Sequence, residues 1–189
     1  MWREIETGNL VNAGSSWKDA NGITHPRNWH IWSADEKKAA GLEELTPDPI
    51  PNRITWWFTQ DAAGKVTKTA KNIDDVNATD VDTGELLKDE KGNQVVTLGV
   101  KSTLLDQVKH QQGAFLAQTD WAIIRKADKG TAIPSNIQTW RDAIRTKATA
   151  MEEAIKGASD TAAIEALFLV TDNDGNTTGI LYDWPELEE

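Results

Sequence analysis

Between Ser135 and Gly157 the apolar residues Ile137, Trp140, Ile144, Ala148, Met151 and Ile155 recur at steps of 3, 4, 4, 3 and 4. Only a helix, at about 3.6 residues per turn, brings such a series onto one face. Arg141, Arg145, Glu152 and Lys156 fall beside or opposite that face. A stripe of this kind needs a cover, and the stretch before it supplies one. Leu104, Leu105, Val108, Gln112, Phe115 and Leu116 also follow helical spacing, with Thr103 as the N-cap and Asp106 three residues on. The expectation is a helical hairpin: one helix over about Thr103–Ala117 and one from Ser135 to just before Gly157. The stretch between them reads as a linker anchored by Trp121 and closed by Pro134.

The rest of the chain reads as smaller pieces, and the fold class is α+β. Residues 1–28 contain Gly8, Gly14, Ser15, Ser16, Asn21 and Gly22, which break any period and suggest a loop-rich arm with Trp2 and Trp17 as isolated anchors. Ser33 and Glu36 have the spacing of a capping box, and Gly41 stands where a left-handed cap is wanted, so a short helix is expected from Ala34 to Ala40. Thr46–Pro51 (TPDPIP) is a Pro-rich break and a candidate hinge. RITWWFTQ and DAAGKVTKTAK, meeting at Gly64, predict a hairpin. The acidic stretch from Asn72 to Asn93 has little to bury and reads as an excursion, followed by a strand over NQVVTLGVK. A short helix fits Asp160–Leu167, and a closing hairpin turns at Asn173-Asp174-Gly175. No internal repeat stands out. Four segments result: 1–51, 52–100, 101–158 and 159–189.

Composition excludes several classes. A net charge of −10 and a pI near 4.8 oppose binding to nucleic acid or an anionic membrane, both of which need clustered Lys and Arg. There is no cysteine, which removes disulfides, thiol catalysis and thiolate metal sites together. No apolar run approaches the roughly 20 residues that span a bilayer. The N-terminus lacks the basic-then-apolar pattern of a secretory signal.

The constellations that could carry chemistry fall short. Asp172, Asp174 and Asn176 suggest a calcium loop, but Gly175 comes too early and the twelfth position is Asp183. Asp80 and Asp82 before Gly84 fail in the same way. His25 and His30 lack a third ligand at metal spacing, and His110 is remote. No nucleophile elbow and no Gly-rich phosphate loop occurs. Adjacent carboxylates such as Asp74/Asp75 or Glu152/Glu153 arise by chance among thirty acidic residues. The chain therefore reads as non-enzymatic, with no metal and no cofactor.

Its unusual feature is nine tryptophans against one tyrosine and three phenylalanines. Indoles serve as core or interface anchors, and on some surfaces they stack on sugars. The candidate partner-binding residues are Trp29, Trp32, Trp56, Trp57, Trp121, Trp140, Arg141 and Arg145. Arg141 and Arg145 lie one helical turn apart and could fork a carboxylate of a partner or of the first helix; an intrahelical pair of Arg145 with Asp142 is the plainer reading.

FLAQTDWAIIRKADKGTAIPSNIQTWRDAIRTKA, through Phe115, Leu116, Thr119, Asp120, Trp121, Pro134, Trp140, Arg141, Ile144 and Arg145, resembles the C-terminal module of tailed-bacteriophage tail assembly chaperones and tail-fibre assembly proteins. GITHPRNWHIWSADEKKAAGL is similar to an N-terminal motif of the same kind of protein. Trp140 stands where family members usually have Tyr, and Ser159–Glu189 lies outside the pattern. The resemblance implies an accessory protein that binds a fibre or tail subunit in the host cytoplasm during assembly and can remain in the virion tail. A homo-oligomer is compatible with it. The alternative is a glycan- or receptor-binding module at a fibre tip, using Trp56 or Trp57. Within the helix pair, Asp120 is expected to cap or to pair with an arginine while Trp121 and Trp140 pack together.

Overall fold

Short strands at the N-terminus gather around tryptophan rather than trailing as an arm. The computed structural model describes residues 1–168, 170–171, 177–182 and 184–188. It divides into two units, Met1–Thr69 and Ala70–Glu189, so the boundary cuts through the expected second segment. Helices and small antiparallel sheets together make an α+β fold.

In the first unit, β1 (Trp2–Glu4) is the middle strand of a three-stranded sheet, flanked by β2 (Leu10–Val11) and β5 (Leu42–Glu44). The register sets Trp2 opposite Val11 on one side and Glu44 on the other. β3 (Trp17–Lys18) pairs with β4 (Thr24–His25), and a 3₁₀ turn over Arg27–Ile31 carries Trp29 inward. Val11, Trp17, Trp29 and Leu42 form the core, with Trp2, Trp32 and Ala40 packed on it. Trp17 stacks on His25 at 4.2 Å between centroids, and Trp2 meets Trp29 edge-on at 6.0 Å. The stretch is loop-rich as expected, but Trp2 and Trp17 are parts of one core and not isolated anchors, which is the correction. Glycines break the period there because they close turns between strands too short to show one.

α1 (Ala34–Ala39) starts at the full capping box, with the Ser33 side chain accepting from the Glu36 N–H and the Glu36 carboxylate accepting from the Ser33 N–H. The TPDPIP segment is not a hinge. The Asp48 N–H donates to the Gly64 carbonyl at 2.9 Å, and the Asp48 carboxylate accepts from the Val66 N–H at 2.8 Å. These bonds tie the segment to the turn joining β6 (Trp56–Gln60) and β7 (Val66–Ala70).

That turn is one of three built alike among the described residues. In Asp19–Ile23, Asp61–Lys65 and Asp89–Asn93, the Asp N–H donates to the carbonyl of the fifth residue. The Asp carbonyl accepts from the N–H of the fourth residue, a glycine with φ between 81° and 84°. The Asp carboxylate accepts from the N–H groups of the third and fifth residues. A residue in the left-handed region followed by resumed pairing is the bulged-hairpin solution that favours glycine. The shared pattern is a recurring turn and not a repeated structural unit. The D-x-x-G-x unit is too short to register as self-similarity, yet it sets the same register at two of the turns: Lys18 opposite Thr24 and Lys88 opposite Gln94. Asp172–Asn176 has the same pattern, and both the expected turn there and the calcium candidate lie outside the described residues. The strands beside it, β10 (Val170–Thr171) and β11 (Thr177–Thr178), pair with Thr171 opposite Thr177, the same register.

The second unit opens with a thin ribbon in which β8 (Val76–Asn77) pairs with β9 (Val96–Thr97). The expected strand over NQVVTLGVK shrinks to these two residues, because its C-terminal part joins a helix. α2 (Val100–Ala117) begins three residues ahead of the expected Thr103. Thr103 is inside the helix, and its hydroxyl donates to the Gly99 carbonyl rather than capping. Gly99 holds the start: its N–H donates to the Asp75 carboxylate at 2.7 Å, and a Cβ there would lie 2.4 Å from the Asp74 carbonyl carbon. α3 (Asp120–Lys129) follows, ended by Gly130 at φ +67°. α4 (Ser135–Gly157) buries its whole stripe, from Ile137 to Ile155, and α2 packs on it through Val100, Leu104 and Val108. α5 (Thr161–Glu165) is capped by the Asp160 side chain.

The expected linker is thus a ten-residue helix. Its signals were present: Asp120 in the first turn, Lys126 and Lys129 in the last, Gly130 after it.

Candidate functional site

The chain turns between α2 and α3 over Gln118 and Thr119, a place where helix ends leave carbonyls without intrahelical partners. A buried arginine adds its bonds to those that the turn's own N–H groups make there. Arg141 on α4 donates from one guanidinium nitrogen to the Leu116 carbonyl at 2.7 Å, to Thr119 Oγ1 at 2.8 Å and to the Asp120 carboxylate at 3.0 Å. Its side chain is 7% exposed, and that of Asp120 is 53% exposed. Thr119 is buried, and its hydroxyl in turn donates to the Leu116 carbonyl. The expected pairing of Asp120 with an arginine is present, and the arginine is Arg141.

This clamp fixes α3 by its first turn, and little else of α3 is buried. Ala122 is its buried residue, whereas Trp121 is 50% exposed and Ile124 66% exposed. Trp121 and Ile124, three apart, share one helical face, with Arg125 lying over the Trp121 ring at 4.9 Å. Trp121 and Trp140 do not pack together as expected. Trp140 is buried on α4, and its Nε1 donates to the Pro185 carbonyl at 2.8 Å.

The eight candidate residues therefore separate. Trp29 is fully buried, with Nε1 donating to the Ser15 carbonyl at 2.9 Å; it belongs to the first unit's core and presents no surface. Arg141 and Trp140 are likewise internal. The forked Arg141–Arg145 site does not form. Arg145 is exposed and pairs with Asp142 at 2.9 Å, the plainer reading. Trp32 is half-buried and meets His25 edge-to-face at 5.8 Å between centroids. Trp56 is half-buried under the Lys68 ammonium at 4.2 Å, and Trp57, its neighbour on β6, faces the other way at 67% exposure. Trp121 and Trp57 are thus the indoles of the set that offer broad surface. A linker reading of this segment hides Ile123 and Ile124; their helical spacing with Trp121 is the signal that reveals them.

Among the described residues no three His, Asp or Glu side chains gather as a metal set, and no helix is long and apolar enough to cross a membrane. The Asp80 carboxylate accepts from the N–H groups of Asp82 and Thr83 and from the Thr83 hydroxyl, so it closes a turn. No protein-family model, curated protein or solved structure matches the chain.

Proposed function

We propose that the chain is a non-enzymatic accessory protein of a phage tail or tail fibre, which binds a fibre or tail subunit during assembly and can stay with the particle. The observation that carries the binding role is the α3 face. An apolar pair, Trp121 and Ile124, stands outward on a helix whose base is locked by a buried guanidinium. Aromatic residues presented on a rigid element are the usual anchors of protein interfaces. The phage setting is supported by the resemblance of Phe115–Arg145 to tail assembly chaperones. The residues that carry it fall at the end of α2, on α3 and on α4, where they build and position this face. Co-expression with a phage tail-fibre protein tests the reading. The expected result is folded, trimeric fibre that depends on this chain and is lost in a Trp121→Asp variant. Fibre that matures equally well without the chain overturns the chaperone role, and absence of the chain from purified virions overturns the structural one.

A second reading, a glycan-binding module, is favoured by Trp57, whose exposed ring stands beside the exposed Thr59 on one face of the β6–β7 hairpin. An exposed indole beside a hydroxyl suits a sugar ring. A glycan array with no signal sensitive to Trp57→Ala removes it.

A further inference from the structure

The C-terminal residues Trp184–Glu188 lie in extended form along α2 and the start of α4, held by side chains that mostly grip backbone. Trp184 packs on Phe115 of α2 at 5.1 Å between centroids, and its Nε1 donates to Gln111 Oε1 at 3.2 Å. The Trp140 indole donates to the Pro185 carbonyl at 2.8 Å. Asn136 Nδ2 donates to the Glu188 carbonyl at 3.1 Å. Carbonyls are common to every peptide, so these last two bonds recognise an extended chain at fixed spacing rather than a particular side chain.

Two further observations point to a site and not to a fixed core strand. A space of about 100 Å³ remains between α2 and Phe168, Leu181, Tyr182 and Trp184. This pocket is partly open to solvent and lies directly beside the Trp184 anchor. The α4 N-terminus has no acidic residue in its first turn and no side-chain cap, and Glu186 and Glu188 share a surface recess with Ser135, Asn136 and Thr139. Carboxylates there meet the positive end of the helix. Glu186, Leu187 and Glu188 are themselves exposed, so little apolar burial holds this part down.

We propose that α2 and the start of α4 form a peptide-binding groove, filled here by the chain's own C-terminal segment. In trans it takes an extended segment of another protein with an aromatic residue, a proline and then acidic residues. Proline keeps such a segment extended at low entropic cost. The proposal does not rest on the phage reading, and either can fail alone.

The test uses the full chain and a fluorescein-labelled peptide, LYDWPELEE, as the probe. The tethered segment competes with the probe, so Trp184→Ala, which removes the internal anchor, is expected to bind it roughly tenfold or more tightly than the unaltered chain. Adding Trp140→Phe, which keeps a ring and loses the donor, weakens that binding about three- to tenfold. Binding that is absent from, or equal in, the two chains overturns the proposal, provided Trp184→Ala retains its helical circular dichroism. Should that variant unfold, indole N–H exchange in the unaltered chain decides. Trp184 and Trp140 indoles that exchange well before the α4 amides support a segment that opens locally. Exchange only through global unfolding overturns it.

Discussion

Arg141 on α4 and Thr119 ahead of α3 are joined by a buried hydrogen bond of 2.8 Å, made by the same guanidinium nitrogen that reaches the Leu116 carbonyl and the Asp120 carboxylate. One side chain thus ties the end of α2 and the start of α3 to α4. Removing it takes one donor from the buried Thr119 hydroxyl and from the Leu116 carbonyl, which keep each other as partners, and opens a cavity. Arg141→Ala should cost about 1–3 kcal/mol, the scale for losing hydrogen bonds to buried polar groups, since the Asp120 carboxylate left behind is half-exposed. Asp120→Asn should cost under about 1 kcal/mol, because that carboxylate is half-exposed and its charge is screened. Urea unfolding measures both. A cost for Asp120→Asn equal to that for Arg141→Ala would mean that the charge, and not the carbonyl and hydroxyl bonds, holds the junction.

Trp29 and Trp121 should respond oppositely to truncation. Trp29→Ala empties the centre of the first unit and is expected to lose about 3–5 kcal/mol. The sequence alone makes the same forecast for Trp121 if its ring is buried; the ring is half-exposed, so Trp121→Ala should change stability by about 0.5 kcal/mol or less. The denaturant midpoint distinguishes them. A large loss for Trp121→Ala would place its ring in the core and remove it as a partner-facing anchor.

Gly64 has φ +84°, and a Cβ there would lie 2.8 Å from Pro47 Cβ. Gly22 has φ +81° with nothing within 4 Å. Both substitutions to Ala incur the left-handed penalty of about 1–2 kcal/mol, and Gly64→Ala adds a clash. Thermal unfolding should therefore rank Gly64→Ala well below Gly22→Ala. Equal midpoints would show that the TPDPIP segment moves aside freely.

Acid should unfold the chain from its turns. Glu4, buried in the first unit, titrates below its ordinary value chiefly because the Thr7 hydroxyl donates to it, with burial opposing and the Thr7 and Glu6 N–H groups assisting. For Asp19, burial pushes upward most strongly but is outweighed by the Ile23 N–H, His25 and the Asn21 N–H. Asp89 is lowered by the Asn93 side chain and backbone, and Asp75 by the Gly99 N–H. A carboxylate depressed in the folded state contributes stability that is fully present above its ordinary value, 4.5 for Glu and 3.8 for Asp. That contribution fades as pH falls through the lower folded value. Urea midpoints should thus be flat from neutral pH to about pH 5 and fall steeply below it, with Thr7→Val reducing the fall. A midpoint that holds down to pH 3 would rule out these turns as its source.

Legibility followed the length of the periodic signal. The α4 stripe from Ile137 to Ile155 could be read because six residues repeat one angle, and the Ser33–Glu36 box because both partners are local. Trp29 could not be assigned to a core from its neighbours, since its partners Val11, Trp17 and Leu42 come from separate short strands. The role of Arg141 depends on Leu116 and Thr119, more than twenty residues earlier, and no spacing rule links them. The groove for Trp184 pairs it with Gln111, a separation that the sequence does not signal.

The Asp–Gly turns have a consequence for how the chain comes into being. Each closes within five residues and satisfies its own backbone groups, so no distant part of the chain is needed to form it. Loops of that size close in well under a microsecond, and hairpins zip within microseconds. Emerging from a ribosome, the chain can therefore set the hairpin at Asp19, then those at Asp61 and Asp89, as separate early events. The helix pair, whose contacts join residues many tens of positions apart, must wait for α4 to be made.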